Sequence, residues 1–388
     1  MTENRELELY FHIPFCVRKC LYCDFLSAPA DEEVRRQYMD ALIREARGRA
    51  EEYQGYLVTS AFIGGGTPSV VAAGQIEGLM AAVQECYELA SDAELTIEVN
   101  PGAVDFGKLK AYRRAGINRL SIGLQSADDK ELAALGRIHS WQQFLDTYRD
   151  AREAGFANIN VDVMSALPGQ SLESYQKTLQ KILTLSSPPE HISAYSLILE
   201  EGTALFHQVR QGMLKLPDEE TDRDMYRDTK RILEQAGYRR YEISNYAKEG
   251  FDCRHNIGYW TRRNYLGFGI GAASLIDNTR FNNGSDIGIY LQDPLNYQME
   301  VQRLSFQEQM EEFMFLGLRL TEGVSVRRFQ KQFGQTMQDV YRSVIDKNEK
   351  EGLLQQYTRY VGDVQEEMLA LTDFGLDVSN YVMSQFLI

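Results

Sequence analysis

From residue 7 to about 200, short apolar runs alternate with longer amphipathic stretches. The runs at 7–13, 57–63, 95–99, 119–124, 158–164 and 192–199 have the length of strands. Between them, apolar residues recurring at helical spacing predict helices near 31–52, 74–90, 105–115, 129–154 and 171–185. Each crossover has room for a helix, so the six strands are expected to lie parallel. The fold class predicted is α/β, a partial (β/α)6 barrel. In such folds chemistry collects on the loops that follow the C-terminal ends of the strands.

Beyond residue 200 the pattern changes. Glu200 to Thr203 reads as a turn, and 217–236 reads as one charged amphipathic helix with Pro217 and Asp218 at its start, where both residue types are favoured. A seventh strand is expected at 238–244, extending the sheet. From about 305, helical patterns at 305–318, 325–333 and 336–350 precede strand-like runs at 353–360 and 366–371, with a last helix capped at Thr372. Three helices followed by a hairpin have the form of a winged-helix module. The expected units are therefore 1–200, an extension over 201–304, and a C-terminal domain over 305–388. A DNA-binding winged helix needs a basic recognition face, whereas Arg327, Arg328 and Lys331 sit among acidic neighbours. A lid or partner-docking role fits that module better.

Charge narrows the partners further. Lys and Arg number 41 against 56 Asp and Glu, a net charge of −15, and such a chain repels phosphate backbones, so no nucleic acid partner is expected. The 44% of hydrophobic residues suffices for an ordinary globular core. No apolar run approaches the roughly 20 residues that span a bilayer. The opening Met-Thr-Glu-Asn-Arg-Glu lacks the apolar centre of a signal peptide. A cytoplasmic location is expected, which also suits reduced thiols.

Three of the five cysteines, Cys16, Cys20 and Cys23, fall in the loop after the first strand. Thiolates at C-x3-C-x2-C spacing can converge on one soft metal centre, and iron–sulfur clusters normally take four such ligands. With three, a four-iron cluster keeps one iron open to a small chelating molecule. A structural zinc site with His12 as fourth ligand, or a redox pair, are the alternatives on spacing alone. The later loops add polar chemistry at strand ends. Gly64-Gly-Gly-Thr-Pro68 allows close approach of a ligand's polar end to the backbone; taken alone a plain strand-to-helix turn explains it better, and its place directly after a strand beside the cysteine loop raises the ligand reading. It lacks the Gly-Lys-Ser/Thr of a nucleotide phosphate loop. Glu98 and Asp162 stand where a carboxylate can accept both hydroxyls of a ribose, or can simply cap a helix or pair on the surface. Further on, Cys253-Arg-His-Asn-Ile-Gly-Tyr-Trp260 and the glycine-rich Tyr265-to-Ser274 run hold one of five histidines and one of two tryptophans. His255 can ligate haem iron or hydrogen-bond in a packed core, and spacing alone favours the core.

The C-x3-C-x2-C loop, with Tyr22 before its last cysteine, resembles the radical S-adenosylmethionine (SAM) superfamily. The longer Tyr10-x-His-Ile-Pro-Phe-Cys16 string is similar to oxygen-independent coproporphyrinogen III oxidase and its HemW-type relatives. The resemblance runs from Tyr10 to about Glu200. It implies a [4Fe-4S] cluster on Cys16, Cys20 and Cys23, with SAM chelating the fourth iron and cleaved to a 5′-deoxyadenosyl radical after reduction by an electron donor. It also implies Tyr10 near the sulfonium, Tyr22 beside the adenine, and Gly65, Gly66 and Thr67 along the methionine moiety. Glu98, Gln125, Arg137 and Asp162 are implied as further contacts. The oxidase has another cysteine two positions after the third, where this chain has Phe25, a departure shared with the HemW type. Ala166 departs from the glycine usual before Leu-Pro-Gly-Gln. His-Asn-x-x-Tyr-Trp resembles the mark of HemW-type haem chaperones, which makes His255 the implied haem ligand, with Cys253 a second ligand or a structural residue. The function implied is binding of haem and its transfer to acceptor haemoproteins. The alternative is radical decarboxylation of a porphyrinogen propionate.

Overall fold

A computed structural model of the chain describes residues 5–362 and 364–388. The first half carries β1 (Arg5–Ile13), β2 (Tyr56–Gly65), β3 (Glu88–Val99), β4 (Arg119–Gln125), β5 (Asn158–Ser165) and β6 (His191–Ser196). They pair in parallel in sequence order. The crossovers hold α1 (Glu32–Arg49), α2 (Ala73–Cys86), α3 (Phe106–Arg114), α4 (Asp129–Ala134), α5 (Trp141–Glu153) and α6 (Leu172–Leu183). Right-handed crossovers between strands that are neighbours in sequence put every helix on one face of the sheet. Accordingly α1 touches α2, α2 touches α3, and α3 touches α5.

Alternation along each strand then separates two environments. Leu9, Phe11, Ile13, Ile63, Ile97, Leu120, Ile122, Val161 and Val163 are buried beneath the helices. Each such side chain contributes about 1.5–3 kcal/mol on burial. The intervening positions Tyr10, Phe62, Glu98, Ser121, Asp162 and Ser193 line a cavity on the other, concave face.

The second half extends the same sheet on both sides. Helices α7 (Ala204–Arg210) and α8 (Glu219–Gln235) lead to β7 (Arg239–Arg240) and β8 (Asn245–Ala247). These strands are antiparallel to each other, and β8 is antiparallel to β6. Of the single strand expected at 238–244, only Arg239–Arg240 forms as β7, and β8 begins just beyond that span. On the far side, α9 (Arg254–Trp260) precedes β9 (Asn264–Phe268), which pairs in parallel with β1. An antiparallel series follows, β10 (Ala273–Ile276), β11 (Thr279–Asn283) and, after α10 (Ile287–Gln292), β12 (Gln298–Arg303). The order is β12-β11-β10-β9-β1-β2-β3-β4-β5-β6-β8-β7, so among the described residues β12 and β7 are its edges and no strand pairing joins them. The helix expected over 129–154 is two, because Gly136 at φ 75° breaks it and Ser140 caps the second with Gln143 in a reciprocal box.

The C-terminal module contains α11 (Phe306–Gly317), β13 (Val324–Ser325), α12 (Val326–Phe333), α13 (Met337–Lys350), β14 (Leu354–Val361), β15 (Val364–Leu371), α14 (Asp373–Asp377) and α15 (Ser379–Ser384). Its sheet runs β13-β15-β14. Met314, Phe329, Tyr341, Val382 and Phe386 form a core of its own. It meets the main sheet where Ile243 N–H donates to Arg319 O at 3.2 Å. Among the described residues, no helix is long and apolar enough to cross a membrane.

Candidate functional site

The loop after β1 closes on itself at its base. Cys16 N–H donates to Ala28 O at 3.3 Å and Ala28 N–H to Pro14 O at 2.9 Å, while Leu21 N–H ties the tip to Leu135 O at 2.9 Å. Cys16, Cys20 and Cys23 are each partly exposed and unpaired by disulfide. All three line one cavity at the barrel mouth. Burial pushes the thiols of Cys16 and Cys23 above their ordinary range. Metal binding at these sulfurs would therefore release protons.

The glycine loop after β2 lies flush against the end of β1. Gly66 N–H donates to Ile13 O at 2.9 Å and Thr67 N–H to Phe15 O at 2.6 Å. A β-carbon at Gly65, whose φ is 110°, would stand 2.6 Å from the His12 ring, and one at Gly66 would stand 2.5 Å from Phe15 O. Close packing of the two loops thus requires these glycines whatever ligand they also face. His12 Nε2 bonds Leu26 O at 2.8 Å, and Nδ1 bonds Tyr10 Oη at 3.1 Å. Both nitrogens of the fourth ligand in the zinc alternative are thereby occupied. Among the described residues, no three His, Cys, Asp or Glu side chains are gathered closely enough to hold one metal ion. A larger polynuclear centre fits three separated thiols on one cavity wall better than a lone ion does.

Polar groups from β3, β4 and β5 complete the cavity. Glu98 accepts from Gly65 N–H at 3.2 Å. Burial, reinforced by the charge of Asp162, raises its pKa to about 8. Asp162 accepts from Asn160 Nδ2 at 2.7 Å, and burial raises its pKa as well. Arg137 donates to Gly123 O at 2.5 Å and to Asn100 Oδ1 at 2.8 Å, and points Nη1 at Cys20 Sγ, 3.7 Å away. Asn100 in turn donates to Thr67 Oγ1 at 2.7 Å, so one chain of hydrogen bonds connects the glycine loop to the cysteine loop. Gln125 holds φ 71°, a left-handed strand end at a non-glycine residue, and such strain tends to collect at functional sites. Phe25, 68% exposed, stands at the rim.

Of the residues singled out in the sequence, Cys16, Cys20, Cys23, Tyr22, Gly65, Gly66, Thr67, Glu98, Gln125, Arg137 and Asp162 share this cavity. Tyr10 and His255 do not. Both lie deeper, on the lumen cavity that Glu98, Ser121 and Asp162 also border. His255 is buried, its Nδ1 at 2.8 Å from Ser60 Oγ, its Nε2 at 2.9 Å from Tyr259 Oη, and its ring stacked on Phe62. Burial lowers its pKa to about 3, so the ring is neutral. Cys253 is fully buried with Sγ 3.5 Å from Glu94 Oε1. The glycine-rich run after it packs on protein, with Gly269 N–H on the buried Glu45 carboxylate at 2.8 Å and Ile270 N–H on Tyr38 Oη at 3.0 Å. Sequence reasoning missed Arg119, Ser121, Asn160 and Ser193. Their signal was a polar residue at every second position of otherwise apolar strands.

Comparison with known proteins agrees with this geometry. A model described as the radical SAM superfamily matches residues 10–182, and one described as the HemN C-terminal domain matches 304–361. The heme chaperone HemW of Lactococcus lactis is 36% identical, covering 98% of this chain and 97% of its own. That of Bacillus subtilis is 36% identical over 97% and 98%. The solved coproporphyrinogen III oxidase HemN of Escherichia coli, a radical SAM enzyme, superposes with a TM-score of 0.84 over 99% of this chain and 90% of its own. Its 24% identity speaks to the fold alone. With end-to-end identity at this level, the chain belongs to the HemW family of the radical SAM superfamily.

Proposed function

We propose that this chain is a haem chaperone that binds haem, carries a [4Fe-4S] cluster with SAM, and delivers haem to acceptor haemoproteins. The observation that carries the reading is the end-to-end similarity to relatives named heme chaperones, 36% identity over 97–98% of both partners. Membership of the superfamily implies the cluster and SAM. Cys16, Cys20 and Cys23 would hold the cluster. Tyr22, Gly65, Gly66, Thr67, Glu98, Gln125, Arg137 and Asp162 would surround SAM. When bound and reduced by a donor, the cluster and SAM supply one-electron chemistry. The chain's own part is positional. Arg137 sets a fixed positive charge beside Cys20, and Glu98 with Asp162 holds a proton near neutral pH that a cationic ligand would displace. The thiols require a reducing compartment, for which we propose the cytoplasm. Ligation of haem iron by His255 would require one of its two bonds to open, to Tyr259 for ligation through Nε2 or to Ser60 for ligation through Nδ1, while the other could hold the ring in place.

The test is anaerobic. Protein with a reconstituted cluster is loaded with haem and mixed with an apo-cytochrome of b type, and transfer is followed by the acceptor's spectrum. Cys16→Ala, Cys20→Ala and Cys23→Ala should each abolish the four-iron absorbance. Catalytic conversion of coproporphyrinogen to protoporphyrinogen in the presence of SAM would replace this reading by the decarboxylase one. Failure of the wild-type chain to bind haem would end it.

A further inference from the structure

Behind the lumen lies a second cavity, of about 370 Å³, between the barrel extension and the C-terminal module. Its walls are aromatic, formed by Tyr10, Tyr259, Trp260, Tyr265 and Phe315, with Leu316 beside them. Tyr10 and Tyr259 also border the lumen, so a partition of these two side chains divides the two spaces. At the edge, Arg280 donates to Glu312 Oε1 at 2.7 Å and Arg262 donates to Glu312 Oε2 at 2.9 Å. Two guanidiniums thus share one carboxylate, leaving one uncompensated positive charge in a chain of net charge −15. Arg280 is 38% exposed and can receive another anion. The indole Nε1 of Trp260 is buried with no partner among the described residues. Flat aromatic walls favour a flat ring, and a lone net cation at the rim favours a carboxylate.

We propose that haem binds in this cavity, its ring against Tyr259, Trp260 and Phe315 and a propionate on Arg280, and that His255 serves the site by positioning Tyr259, not by ligating iron. The proposal rests on the haem reading above and adds a place to it. His255 and Tyr259 are four residues apart on α9, one turn above each other, and the 2.9 Å bond from Nε2 to Oη fixes the phenol that forms the wall. His255 itself borders the lumen and not this cavity.

Full-length protein with its cluster reconstituted is titrated with ferric haem, and affinity is read from the Soret band. Leu316→Trp fills the cavity from α11 and Ala273→Trp fills it independently from the exposed first position of β10. Each should weaken binding about tenfold or more while cluster absorbance persists. Arg280→Glu should weaken it several-fold and reduce its dependence on salt. His255→Ala should lower affinity while the axial-ligand signature in the electron paramagnetic resonance spectrum stays that of the wild type. Wild-type affinity in both tryptophan variants would overturn the site while leaving the chaperone reading intact. A changed axial signature in His255→Ala would overturn the positioning role. No haem binding by the wild-type chain would remove function and site together.

Discussion

The α-carbon of Gly258 packs directly on the carboxylate of Glu8, and a β-carbon there would overlap both oxygens. Glu8 is fully buried, and neither oxygen has a hydrogen-bond partner among the described residues. His255 Nδ1 and Arg263 Nη1 both stand 3.9 Å away. Burial raises its pKa well above the ordinary carboxylate range, against the pull of Arg263. Gly258→Ala should therefore destabilise the fold by about 1–3 kcal/mol, the usual cost of overpacking. Adding Glu8→Ala should recover part of that loss, a non-additivity that thermal melts of the single and double variants would reveal.

Glu98 predicts a pH dependence. Its pKa rises from 4.5 to about 8 on folding, first through burial and then through Asp162. Between those values the folded carboxyl keeps a proton that the unfolded chain has lost, so stability falls as pH rises across the window. The slope approaches about 1.4 kcal/mol per pH unit and vanishes below and above it. Glu98→Gln should flatten much of this slope in urea melts of cluster-free protein from pH 5 to 9. Asp162 contributes in the same sense and would sustain the remainder.

Ala166 sits at φ 57° in the left-handed region, where a β-carbon is strained. Its methyl is largely buried, so replacement loses a little packing while relieving the backbone. Ala166→Gly should stabilise the protein by roughly 0.5–1 kcal/mol, the left-handed penalty less the lost contact. A lower melting temperature in that variant would show that the methyl's packing outweighs the strain.

Arg137 is held by Gly123 O and Asn100 with its other nitrogen toward Cys20. A shorter point-charge side chain cannot make these contacts together. Arg137→Lys should leave the four-iron absorbance in place but weaken SAM binding about tenfold, since a bond to a charged group contributes about 1.5–3 kcal/mol. Arg137→Ala should in addition lower the cluster's reduction potential, because a nearby cation favours the more negative reduced state. Equilibrium dialysis with SAM and a redox titration read the two effects separately.

Much of the barrel was legible because its strands alternate with long crossovers and end in distinctive tripeptides. The cavity residues Cys16 to Asp162 could be placed together from that order alone, since successive parallel strands bring their C-terminal loops to one rim. The strands β9 to β12 were not legible. Each spans only four to six residues, and Gln298–Arg303 is exposed throughout, so no apolar period marks it. Tyr238 to Ser244 carries the composition of a strand, yet Tyr241 turns inward to bond His191 at 2.8 Å and Glu242 N-terminal to the next strand is buried, which interrupts it. For His255, spacing alone favours a core residue and the family resemblance implies an iron ligand. Its bond to Ser60, 195 residues away, is a contact that no local pattern in the sequence could show.

Glu312 belongs to the C-terminal module, while both guanidiniums that grip it belong to the barrel extension. An incoming propionate would take the positive charge that Glu312 leaves over, so that two carboxylates balance two guanidiniums. Arrival of cargo would thereby firm the clasp between the two halves, and departure would relax it. An acceptor protein resting on the module would then meet a loaded carrier and an empty one with differently held surfaces.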